Sequence, residues 1–179
     1  TLPLLGEHNL LNTMSAIMAA LAVGVSEGQI TKSIGRFQNA AHRLEDVGMI
    51  NGVRYINDSK ATNVDAVKYA LDAFEKPIIW IAGGVDKGND YSQIEEVVYE
   101  KVKSVICLGK DNEKLRSFFE AKGCSVFESD DMYDTIKIAN ELSESGDHVL
   151  LSPACASFDL FKNYEDRGDK FKDAVNKLV

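Results

Sequence analysis

The chain has 179 residues, 45% hydrophobic and 27% charged, with a formal net charge of −8; this allows one domain with a buried core, or slightly more. The acidic balance excludes nucleic acid as the main partner, because phosphate affinity comes from clustered Lys and Arg, and no apolar run approaches the roughly 20 residues that span a membrane. Cys107, Cys124 and Cys155 form no C-x-x-C pair, so neither a disulfide framework nor a zinc site is indicated, and without a secretory start the expected location is cytoplasmic.

From Asn9, the run "NLLNTMSAIMAALAVG" sets Leu10, Leu11, Met14, Ile17, Met18 and Leu21 on one helical face and stops at Gly24. Ser26 and Gln29 then form an S-x-x-Q capping box that opens a second helix. Residues 1 to about 40 therefore read as a helical pair with no strand. At "VGMI", Asn51-Gly52, "VRYIN" the pattern turns into a β-hairpin signal. Beyond it, helices expected over 63–75, 92–103, 111–122 and 131–144 alternate with "PIIWIAGG", "SVICLG", "CSVFES" and "HVLLSP", and a last helix ends near Leu178. Short apolar runs between amphipathic helices predict a Rossmann-like open α/β fold. Its sheet is mostly parallel, with helices on both faces and the hairpin at one edge. The boundary is expected between residues 41 and 47, dividing the chain into 1–43 and 44–179.

In such a sheet, ligands bind outside the carboxyl ends of the strands. Those ends carry Asn57-Asp58-Ser59-Lys60, Gly83-Gly84-Val85-Asp86-Lys87-Gly88, Gly109-Lys110-Asp111 and Ser152-Pro153-Ala154-Cys155-Ala156-Ser157. Asp58 and Ser59 are open to two readings, as ligand contacts or as N-caps of the helix near Asn63. Lys60 sits where the helix dipole is positive, unfavourable by a few tenths to about 1 kcal/mol unless an anion reverses the sign. Lys87 follows the same logic, with glycines that let backbone amides approach a ligand. Cys155 with His42 or His148 lacks a third orienting group, so a small buried residue is the simpler reading. His8, His42 and His148 lack metal-ligand spacing. Neither G-x-x-x-x-G-K-[ST] nor G-x-G-x-x-G occurs.

"GEHNLLN" (6–12), "HR" (42–43), "NDSKATN" (57–63), the "GG" with Lys87, and "LSPACASFDLFKNYEDRG" (151–168) together resemble the bacterial Mur ligases. The forms "NDSKATN" and "SPACASFD" are similar to the branch that adds D-glutamate. The resemblance implies an ATP-dependent ligase of three domains, joining D-glutamate to UDP-N-acetylmuramoyl-L-alanine through an acyl phosphate in peptidoglycan precursor synthesis. Residues 1–43 would then be the last helices of the central ATPase domain, and 44–179 the C-terminal domain. The P-loop, and most ligands for Mg2+, would belong to the part of the central domain not in this chain. By resemblance, Asn9, Asn12, His42, Arg43 and Asp58 contact ATP, with Asp58 on the ribose hydroxyls and Arg43 on the phosphates. Lys60, Thr62, Lys87, Ser157 and Tyr164 hold D-glutamate. Tyr164 stands where the family's phenylalanine is expected, with its contact through the backbone. A hinge is expected near residues 40–46.

Two other classes compete. A stand-alone Rossmann-like module that binds a nucleotide or acidic metabolite has no reason to begin with two helices that cover no sheet. A nicotinamide dehydrogenase would need the glycine fingerprint that the chain lacks.

Overall fold

The structure is a computed structural model that describes residues 7–37, 39–75 and 77–178. Gly6 of the "GEHNLLN" motif lies outside the described residues, as does the side chain of His8. The chain divides into two compact units, Thr1–Ala41 and His42–Val179. In the first, α1 (Glu7–Ala22) is followed by α2 (Glu27–Ile34), which opens on the expected capping box: Ser26 Oγ accepts from the Gln29 N–H, and Gln29 Oε1 accepts from the Ser26 N–H. Of the apolar face of α1, Ile17 is half-buried and lines a cavity with Ile30, Ile34 and Phe37 of the following segment. Leu10, Leu11, Met14, Met18 and Leu21 are all exposed, and no described residue of 9–41 is buried.

The second unit begins with the hairpin of β1 (Glu45–Ile50) and β2 (Val53–Asn57), antiparallel and closed at Ile50 and Val53. Asn51 and Gly52 both have positive φ, 51° and 82°, as a two-residue type I′ turn demands. There follow α3 (Val64–Asp72), β3 (Ile78–Gly83), a 3₁₀ turn (Tyr91–Ile94) leading into α4 (Glu95–Lys101), β4 (Val102–Leu108), α5 (Glu113–Glu120), β5 (Val126–Ser129), α6 (Met132–Leu142), β6 (His148–Ala154) and α7 (Tyr164–Asn176). The expected helix over 92–103 is thus shorter. Asp90 caps the 3₁₀ turn instead, and the run from Val102 has already entered β4.

One six-stranded sheet runs β1-β2-β6-β3-β4-β5, antiparallel at the β1 edge and parallel elsewhere. Alternation along each strand sorts the core into two layers. Along β3, Ile78, Trp80 and Ala82 face a cluster with α3, α4 and α5. Ile79 and Ile81 face the other, with Met132 and Ile136 of α6 and Phe171 and Val175 of α7. Helices cover both faces, as the continuous apolar runs of β3, β4 and β6 require. Because β6 is inserted between β2 and β3, its own connection crosses to the α7 face while those of β2 and β3 go to the α3–α4 face. This is a topological switch point, the place at the strands' carboxyl ends where open α/β sheets bind their ligands.

Candidate ligand site at the strand ends

Backbone bonds hold the ends of β2, β6 and β3 in a row. Ala154 N–H donates to Ala61 O at 3.0 Å, Ala154 pairs with Gly83 in the parallel register, and Val85 and Ala156 exchange bonds of 2.8 and 3.2 Å in an isolated antiparallel bridge. Lys60 and Thr62 flank Ala61, Lys87 lies two residues past Val85, and Ser157 follows Ala156. The bridging therefore brings these four positions, from three separate strand ends, to one rim. Gly83 and Gly84, expected to admit a ligand, are required first by the chain itself. A Cβ at Gly83 would lie 2.6 Å from Leu108 O, one at Gly84 2.2 Å from Ala156 O, and both residues have φ of +122°.

Beneath the rim, Arg167 of α7 is 1% exposed. Its Nε donates to Ser59 Oγ (3.0 Å), and its terminal nitrogens to Ser59 O (2.9 Å), Cys155 O (3.2 Å) and Gly83 O (3.5 Å). One guanidinium thus ties together the loops after β2, β3 and β6. Burial lowers its pKa to about 10, so it stays charged at neutral pH. Sequence reasoning missed this residue. The available signal was its place on the apolar stripe of α7, in register with Phe171, Ala174 and Val175.

Asp58 is 7% exposed, with Oδ1 accepting from the Leu44 N–H (3.2 Å) and Oδ2 from Ser152 Oγ (3.0 Å). Burial raises its pKa to about 7, against the lowering effects of those two bonds and the charge of Arg43. The N-cap reading of Asp58 and Ser59 is overturned: Asn63 caps α3, its Oδ1 accepting from the Ala66 N–H at 2.8 Å. Ser59 instead donates to Tyr164 O at 2.7 Å. The corner before β1 is strained, since His42 and Leu44 on either side of Arg43 have φ of 63° and 43°. His42 O accepts from the Lys60 N–H (3.1 Å), and its ring Nδ1 lies 3.0 Å from Asn57 Nδ2. The corner holds Arg43 at the surface while Leu44 and His42 are bonded to the strand end that carries Asp58 and Lys60.

Lys60 Nζ stands 3.8 Å above the Tyr164 ring, and the same ring meets His42 edge-on at 6.0 Å. Tyr164 thus offers Lys60 its aromatic face, and its carbonyl accepts from the Ser59 hydroxyl. Among the described residues, neither Lys60 nor Lys87 has an ion pair or a side-chain hydrogen bond. Thr62 is half-buried, Lys87 exposed and Ser157 buried. Asn9 and Asn12 lie in the first unit, one turn apart on α1. Cys155 is buried against Tyr91 and Asn89, and burial raises its pKa, so its thiol is protonated and structural.

A family model described as Mur ligase, glutamate ligase domain, matches residues 42–155. The chain belongs to the Mur ligase family. A UDP-N-acetylmuramoylalanine--D-glutamate ligase from Cytophaga hutchinsonii is 55% identical over 99% of this chain and 39% of the relative. One from Porphyromonas gingivalis is 48% identical over 99% of this chain and 39% of its own length. The solved UDP-N-acetylmuramate-alanine ligase of Thermotoga maritima superposes with a TM-score of 0.71 at 15% identity, over 99% of this chain and 40% of that one; at that identity the likeness shows the fold alone. The chain spans about two fifths of the length of these Mur ligases. No helix among its described residues is long and apolar enough to cross a membrane.

Proposed function

We propose that the chain is the C-terminal part of an ATP-dependent ligase that joins D-glutamate to UDP-N-acetylmuramoyl-L-alanine, with residues 1–43 closing the central ATPase domain and 44–179 forming the C-terminal domain. The reading is carried by two ammonium groups, Lys60 and Lys87, on one stitched rim, neither of them in an ion pair among the described residues. D-glutamate presents two carboxylates to such a rim, and Thr62 and Ser157 add hydroxyl donors. Charge-assisted bonds of this kind contribute on the order of 1.5–3 kcal/mol each. The exposed apolar stripe of α1 supports a chain that continues into a larger body, rather than a stand-alone binding module.

Asp58 fits the ribose end of ATP. Each of its carboxylate oxygens accepts one bond from the protein, which leaves lone pairs for ribose hydroxyls. Arg43, at the surface beside it, suits the phosphates. Among the described residues no group of three or more His, Cys, Asp or Glu side chains is placed to hold a metal ion; Mg2+ would be held by the rest of the enzyme. In this reading the domain positions the amine of D-glutamate against the acyl phosphate, an orientation effect that supplies several kcal/mol, and takes no proton itself. The chain alone is expected to be inactive, and its working location cytoplasmic.

The test is steady-state kinetics on the longer ligase that carries this chain. Lys60→Ala and Lys87→Ala should each raise the KM for D-glutamate about tenfold or more while leaving that for ATP within twofold, and Asp58→Asn should do the reverse. An unchanged D-glutamate KM in both lysine variants would remove the proposal.

A further inference from the structure

The Lys87 loop is not held by apolar packing. Val85 is 42% exposed, and Lys87 and Gly88 are exposed as well. What closes the loop is the carboxylate of Asp86. Its Oδ1 accepts from the N–H of Gly88 (2.6 Å) and of Asn89 (3.0 Å) and from Lys114 Nζ (3.2 Å), and its Oδ2 from the hydroxyl of Tyr91 (2.8 Å). One anchor comes from the core and one from the surface. Tyr91 is 2% exposed, wedged against Phe118 and Phe119, and Lys114 reaches across from α5 to donate also to Asn89 O at 2.6 Å. Asn89 Nδ2 ties the far end of the loop to Ala154 O at 3.1 Å, beside the β6 end that carries Ser157.

Next to a lysine, an unsatisfied aspartate would capture the ammonium. Here four donors occupy Asp86, and Lys114 offsets its charge; among the described residues the Lys87 side chain next to it has no partner. We propose that Asp86 and Lys114 form a clasp that positions Lys87 for the substrate carboxylate: Asp86 fixes the loop's shape, and Lys114 keeps Asp86 from pairing with Lys87. The inference rests on the reading of Lys87 as a D-glutamate contact. Asp86 and Lys114 are positioning residues and touch no substrate.

The experiment is a kinetic double-mutant cycle in the longer ligase, with Lys87→Ala, Asp86→Ala, Lys114→Met and the pairs of each of the last two with Lys87→Ala. Lys87→Ala is expected to raise the D-glutamate KM about tenfold or more, and Asp86→Ala and Lys114→Met about three- to tenfold, with the ATP KM within twofold. In the Lys87→Ala background, adding either change should have almost no further effect, because the device acts through Lys87. Lys114→Arg should restore most of the loss. Should Asp86→Ala fail to fold, Lys114→Met, at a half-exposed surface residue, carries the same test. Multiplying effects in the double variants, or unchanged KM in both single ones, would overturn the clasp. An unchanged KM in Lys87→Ala would overturn the reading beneath it instead.

Discussion

Asp58 is kept at a cost to the fold. Its carboxyl titrates near pH 7 in the folded chain, against 3.8 when unfolded, because burial disfavours the charge. Between those values the native state holds a proton that the unfolded state has lost, so the residue's contribution to stability falls as pH rises from about 4 to 7 and stays low above that. Asp58→Asn keeps an acceptor for the Leu44 N–H and removes the charge. It should stabilise the chain at pH 8 by roughly 2–4 kcal/mol and give no gain at pH 4, as measured by urea unfolding at both values; equal midpoint shifts at the two would contradict the burial account. In the proposed reading Asp58 is retained for the ribose of ATP, and binding rather than stability accounts for it. Arg167 is the opposite case. Its charge serves three loop carbonyls and Ser59, so Arg167→Met should lose on the order of 3 kcal/mol and loosen the rim, seen as faster amide exchange at Ser59, Gly84 and Ala156. The strand-end position of Asp58, Lys60 and Lys87 was legible from the polar clusters that follow apolar runs. Arg167, Asp86 and Lys114 were not, because what defines them is partners far away in sequence, and Asp86 bonds a lysine 28 positions on.

At the level of elements, period and punctuation carried most of the fold. The capping box at Ser26, the hairpin at Asn51-Gly52 and the alternation of strands with helices follow from local chemistry that the sequence displays openly. The insertion of β6 between β2 and β3 does not. It depends on which face each helix covers, and that is fixed only when the two apolar layers are built. Gly83 and Gly84 illustrate the same limit, since the need for glycine comes from Leu108 on β4 and Ala156 just past β6. The hairpin turn is a clean test of the local part. Gly52 has φ of +82°, and a Cβ there would come within 2.3 Å of Ser145 Oγ, a side chain able to move aside. Backbone strain should therefore dominate, and Gly52→Ala should cost about 1–2 kcal/mol, with a second Ser145→Ala change recovering little of it. Full recovery in the double variant would show that the clash, rather than the turn, decides.

For the whole molecule, the two units differ in what holds them. Every described residue of both core layers lies at or beyond Leu44, whereas no described residue of 9–41 is buried, and Leu10, Leu11, Met14, Met18 and Leu21 are exposed along one helix. An apolar stripe of that kind in water favours association with any similar surface, and the second unit has its own core in two layers. Removing residues 1–41 should therefore leave a piece, His42–Val179, that unfolds cooperatively within a few degrees of the intact chain by calorimetry. Light scattering should find that piece monomeric at concentrations where the intact chain self-associates. Loss of cooperative unfolding on truncation would mean that the sheet domain needs the helical pair to fold. A piece that self-associates as strongly as the intact chain would move the sticky surface off α1, and with it the argument that this helix is built to be covered by the rest of a longer ligase.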